Sequence, residues 1–176
     1  ELGGYEALLF AIKNDVVAAS ACIEPLRKLG ANGVPGMLAL LESGERYARH
    51  QAAQVLAQPE YRNYTTELGA TLESKLRAYR DMRAGAVRDV QKDGVIRLID
   101  VIRVHGAPDD KSLRAVVAAA TDEAQDERTR IVALEALGKL GPRAAASVPQ
   151  LRAMSGYASG RVYDTLEETL ATLSRY

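Results

Sequence analysis

Apolar residues recur along this chain in steps of three and four, the period of a helix with one buried face. The cleanest run is residues 126–141, DERTRIVALEALGKLG, where Ala133, Leu134, Leu137 and Leu140 make one stripe and Glu135 and Lys139 fall on the wet side. Asp126 stands where its carboxylate can accept from the free N–H groups of the first turn, and Arg130 lies four residues on, within expected reach of it. Gly141 allows the left-handed turn that ends a helix, and Pro142 prevents its restart. Ala133 and Ala136 are small enough to let a neighbouring helix come close. So apolar a stripe needs a partner. The following segment, 144–155, offers Val148, Leu151 and Met154, which predicts an αα-hairpin.

The pattern repeats. CIEPLRKLG, ending at Gly30, superposes on ALEALGKLG without a gap and puts Asp15 where Asp126 is. In residues 45–58, Arg49, Ala52, Ala53 and Leu56 match Arg130, Ala133, Leu134 and Leu137. Asp93 and Arg97 repeat the acid-to-arginine spacing, Val34-Pro35 matches Val148-Pro149, and Arg161 opens a last copy. These residues resemble the HEAT-repeat family, in particular its bacterial form with the pattern Asp-x-x-x-Arg-x-x-Ala-Leu-x-x-Leu-Gly. Residues 126–155 match it closely. Ala19 stands in place of an arginine, and Glu45 in place of the aspartate. The resemblance implies an all-α fold, an α-solenoid of stacked antiparallel helix pairs, with first helices on the convex side and second helices on the concave side. It implies binding more often than catalysis, although fold alone does not set function.

On this reading residues 1–176 form a single HEAT-like domain of about four to five hairpins. A half-hairpin at 4–13 opens it. Residues 15–29 make a helix kinked at Pro25, and Gly30, Asn32 and Pro35 make the turn into residues 34–43, with Asn32 as cap and Met37, Leu38 and Leu41 inward. Residues 65–83 make a long helix with Leu68, Leu72, Leu76, Tyr79 and Met82 on one side. Residues 93–104 and 109–120 pair next, and 159–174 closes the chain with Val162, Leu166, Leu170 and Leu173 uncovered. The motif arginines Arg49, Arg97, Arg130 and Arg161 are 48, 33 and 31 residues apart. The first interval marks an enlarged repeat at 59–92, and insertions in repeat arrays often lie on the binding face.

Composition narrows the function. Hydrophobic residues make up 47% and charged residues 26%, which is globular. The formal net charge is zero, which argues against a generic nucleic-acid binder. The lone Cys22 excludes an internal disulfide and aligns with Ala133 as a small buried hydrophobe. His50 and His105 fall in different copies without a second ligand at metal spacing; His105 reads as a helix-end residue that favours partial positive charge. Spacing assembles no Ser/His/Asp or Cys/His set, so neither catalytic residues nor a cofactor are assigned. HEAT-like phycobilin lyases and alkylbase DNA glycosylases are the enzyme classes the resemblance admits, the second echoed in Tyr79, Arg77, Arg80 and Asp81. No apolar run nears the ~20 residues of a membrane span. No secretion signal is read, but Glu1 is not a natural start, so a processed product or a segment of a larger protein is expected and the compartment stays open, with cytoplasm slightly favoured over periplasm.

The expected activity is that of a protein-interaction scaffold, with an acidic polymer or nucleic acid as the alternative ligand. The candidate binding residues are Arg77, Arg80, Arg83, Lys111, Arg114 and Arg152, a basic ridge on the second helices, with Tyr61 and Tyr64 from the enlarged repeat. The expected partner is another protein with an acidic surface, and the uncovered ends allow end-to-end self-association.

Overall fold

The computed structural model describes residues 7, 8, 10, 18–82, 85–107 and 109–176. Among the described residues every regular element is a helix, and no strand is present. A 3-10 turn (Ala19–Cys22) runs into α1 (Ile23–Lys28), and a second (Gly30–Gly33) runs into α2 (Val34–Leu40). Then come α3 (Arg46–Leu56), a 3-10 segment (Pro59–Tyr64), α4 (Thr65–Asp81), α5 (Ala86–His105), α6 (Asp110–Thr121) and α7 (Glu127–Leu140). A 3-10 segment (Gly141–Ser147), α8 (Val148–Met154) and α9 (Gly160–Leu173) close the chain.

Local chemistry sets the ends of these helices. Asp126 caps α7 by accepting from the N–H groups of Arg128 and Thr129, and Asp109 caps α6 through the N–H of Ser112. α5 stops at Gly106, which is left-handed, and α7 stops at Gly141, whose φ is +55°. Near the N-terminus local expectations need correction. Residues 18–29 are not one kinked helix: the 3-10 turn changes to α-helix at Ile23, so Pro25 sits in a first turn, where its missing N–H removes no helix bond. Asn32 does not cap α2. Gly33 holds that position, without a side-chain cap, because Gly30–Gly33 is itself helical. The expected helix at 4–13 and the motif residue Asp15 lie outside the described residues.

The helices pack in two rows. α3, α5, α7 and α9 touch in succession, as do α4, α6 and α8, while α2 packs on α3, α4 on α5 and α6 on α7 between the rows. This changes the expected pairing. α7 meets α6, α5 and α9 broadly and meets the chain that follows it through the Gly141–Ser147 turn; α8 is not among its close neighbours. Likewise α5 pairs with α4 before it rather than with α6 after it. After α7 the seven-residue 3-10 segment itself packs against α7 and α9, in the place expected for α8.

The core is continuous from Ala19 to Leu173 and consists mostly of aliphatic side chains, among them the fully enclosed Leu134 and Leu137. Each such side chain contributes about 1.5–3 kcal/mol by leaving water. Glycines mark the closest crossings. A methyl at Gly69 would stand 2.7 Å from the Ser112 Cα, and one at Gly94 would stand 2.5 Å from the Leu41 carbonyl oxygen. The apolar end expected at the C-terminus is absent. Leu166, Leu170 and Leu173 are buried against α7 and its following turn, while Asp164, Glu167 and Glu168 face outward, so α9 closes the stack with a polar side.

Candidate protein-interaction surface

The proposed basic ridge requires α4, α6 and α8 to share a face, and their contacts fix its register. Gly69 lies against Ser112 near the start of α4 and α6, and Arg80 meets Asp122 near their ends. The two helices therefore run in the same direction, with α8 on the far side of α6.

The predicted residues do not share one environment. Arg77, Arg114 and Arg152 are exposed on this row. Among the described residues Arg77 bonds back to the Glu73 carbonyl of its own helix, and none of Arg77, Arg114 and Arg152 forms an ion pair with a described residue. Arg80 is exposed but committed: its Nε donates to Asp122 Oδ2 at 2.8 Å. Burial opposes ionisation of Asp122, but the bonds from Arg80 and Gln125 outweigh it and hold the carboxyl below its usual range. Lys111 is half-buried, and Arg83 lies outside the described residues. Tyr61 is a correction. Its ring is 3% exposed, because Pro59–Tyr64 folds back onto α4 rather than looping into solvent, and burial pushes its phenol up. Tyr64 is half-buried, its ring tilted against that of Tyr61 at 6.4 Å. The enlarged repeat is thus built of that turn, the 17-residue α4 and a 20-residue α5 that begins seven residues before Asp93.

Between α6 and α8 lies an open cleft of about 450 Å³. Val117, Ala118 and Ala153 floor it, with Arg114 at one end, Thr121 at the other and Gln150 on the rim. The Tyr157 hydroxyl donates to the Thr121 carbonyl at 3.1 Å, and the Arg130 guanidinium lies 5.9 Å from the Tyr157 ring centroid. The ridge pattern picks out Arg114 and Arg152 but not the cleft. The available signal was AVVAAAT on α6, a run with small residues on every side and no polar face.

Other polar groups hold the rows together. Arg49 Nε meets Asp93 Oδ2 at 2.7 Å, and its Nη1 donates to the carbonyls of Ser43 and Gly44. Arg97 reaches the same Asp93 oxygen at 2.9 Å and contacts His50 Nδ1 at 3.0 Å. Burial resists ionisation of Asp93, but the bonds from Arg49 and Arg97 prevail and lower its pKa. The matching pair is not made on α7. Asp126 Oδ2 accepts from Tyr79 and Thr129, and Arg130 Nε donates instead to the Ala120 carbonyl. The Tyr79 ring is buried under the Arg88 guanidinium, 4.5 Å from its centroid, so it presents no stacking face to a base. His105 is the last residue of α5, as its place before Gly106 suggests. It is buried and donates from Nε2 to the Leu56 carbonyl at 2.7 Å. Lys75 is buried beneath Glu42, 2.6 Å away, and burial lowers its pKa. Cys22 is buried, which raises its thiol.

Among the described residues no group of three or more His, Cys, Asp and Glu is placed to hold a metal ion, and no helix is long and apolar enough to cross a membrane. Comparison with protein-family models, with curated proteins and with solved structures yields no match.

Proposed function

We propose that this chain is a HEAT-like α-solenoid that acts as a protein-interaction scaffold, binding without catalysis through the face built by α4, α6 and α8. The observation that carries this reading is the exposure of Arg77, Arg114 and Arg152 on one row of helices, with Arg114 lining an open cleft. Exposed arginines on a shared face attract acidic surfaces and hold carboxylates with paired hydrogen bonds. Of the acids on this row, Asp122 is paired with Arg80 and Asp110 with Arg143, whereas Glu73, one turn from Arg77 on α4, opposes the ridge.

A photo-crosslinking residue at Ala118, in extract from the native source, tests the surface, with Glu135 on α7 as the control position. The expected result is a discrete crosslinked protein from Ala118 alone, lost when Arg77, Arg114 and Arg152 are all changed to Glu. Equal crosslinking from both positions would refute the assignment of the face. Gel retardation of duplex DNA with a steep salt dependence, abolished by the same triple variant, would move the reading to a nucleic-acid ligand.

A further inference from the structure

Resting on that reading, we propose that the cleft between α6 and α8 docks an acidic, extended peptide segment of the partner protein. A carboxylate of the segment pairs with Arg114, and an aliphatic side chain about three residues later seats beside Ala153 at the Thr121 end. The spacing comes from the helix. Arg114 and Thr121 are two turns apart on α6, about 10 Å, and an extended chain covers that distance in about three residues.

Each part of the cleft has a matching chemistry. Arg114 is exposed at one end, free of any ion pair with a described residue, and its planar fork suits a carboxylate. Ala118 and Ala153 are both exposed and carry only methyl groups, so a peptide backbone can approach closely over them. Gln150 stands exposed on the rim, where its amide can donate to and accept from a passing main chain. At the far end the Thr121 hydroxyl is committed to the Val117 carbonyl at 3.0 Å, so it does not compete for a polar group of the segment. The volume of about 450 Å³ is in the range of sites that accept a few side chains. Charge complementarity decides the class of partner: Arg114 is the charged residue of the cleft lining, and Arg77 and Arg152, exposed on the same row of helices, add to the attraction for acidic segments. The floor of Val117, Ala118 and Ala153 methyls offers nothing to a phosphate backbone and favours peptide over nucleic acid.

The full chain, fluorescently labelled, is applied to arrayed Gly/Ser peptides that carry one Glu and one Leu at varied separations. Matched arrays carry Lys in place of Glu, and oligonucleotides of similar length serve as competitors. Binding is expected to peak when Glu precedes Leu by three residues, and to fall at least about tenfold with either Arg114→Glu or Ala153→Trp, as loss of a close charge pair predicts. Arg161→Glu, on α9, is expected to leave it unchanged. No preference for the Glu arrays, a preference that survives Arg114→Glu, or stronger competition by oligonucleotide than by peptide would each overturn the proposal. If the native partner still crosslinks from Ala118 while the arrays show no acidic preference, the peptide chemistry fails and the scaffold reading stands. Loss of the Ala118 crosslink itself removes the scaffold reading.

Discussion

Replacing Gly69 by Ala is a test in which local and tertiary physics predict opposite signs. In the interior of an exposed helix, Gly to Ala stabilises by about 1 kcal/mol, because alanine has less backbone freedom to lose. Gly69 lies inside α4 but is buried where α6 crosses it. The added methyl would stand 2.7 Å from the Ser112 Cα, 2.8 Å from its nitrogen and 3.1 Å from the Lys111 carbonyl carbon. Ordinary carbon contacts fall at about 3.5–4.0 Å. All three obstructing atoms are backbone, so no side chain can swing aside and the helices must part by roughly 1 Å. Such overpacking costs about 1–3 kcal/mol, and the upper end applies because separation also loosens buried Leu68, Leu72, Ala115 and Val116. After the propensity gain, the net loss is about 2 kcal/mol, or about 4–8 °C in Tm for a chain of this size. Gly138→Ala is the internal control. It too is within a helix, but a methyl there would meet only the Thr169 side chain, at 3.8 Å and beyond, so a gain of about 0.5–1 kcal/mol is expected. Urea unfolding followed by far-UV circular dichroism measures both. A Gly69→Ala protein as stable as the parent would refute the α4–α6 crossing and with it the register of the proposed binding face.

Three further outcomes follow from the core and its ion pairs. Leu137→Ala, at a site 0% exposed, should lose about 2–5 kcal/mol in the same assay, and an unchanged midpoint would contradict its enclosure. Lys75→Met should leave Tm unchanged or higher, since it removes a buried ammonium and leaves Glu42 solvated, whereas Glu42→Ala strands that ammonium and should cost about 1–3 kcal/mol, between the values for surface and buried pairs. The lowered pKa of Asp93 means that its pairs stabilise the fold above about pH 4, near the unfolded value, and that this stability is lost as pH falls through the lower folded value. Asp93→Asn should therefore flatten the acid side of the stability–pH curve, and an unaltered slope would show that the pairs contribute nothing.

Helix identity was legible in the sequence because each helix buries one stripe, and the stripe repeats every three or four residues whatever lies against it. Ala133, Leu134 and Leu137 on α7, and Leu68, Leu72 and Leu76 on α4, could be assigned inward from spacing alone. The Asp126 cap and the glycine stops after α5 and α7 were equally local, since each depends on atoms a few residues apart. What spacing could not decide was which helix covers which stripe. Contacts between residues far apart in sequence set the pairing of α7 with α6, the burial of Tyr61 and the cover over Leu166, Leu170 and Leu173. The same holds for the candidate surface. Charge pattern singled out Arg77, Arg114 and Arg152, but Arg80 carries an equal charge and is withdrawn by Asp122, 42 residues away. The cleft beside Arg114 exists only because α6 and α8 each turn small side chains to a shared gap, and a gap between two helices is a property of their separation, which no single helix records.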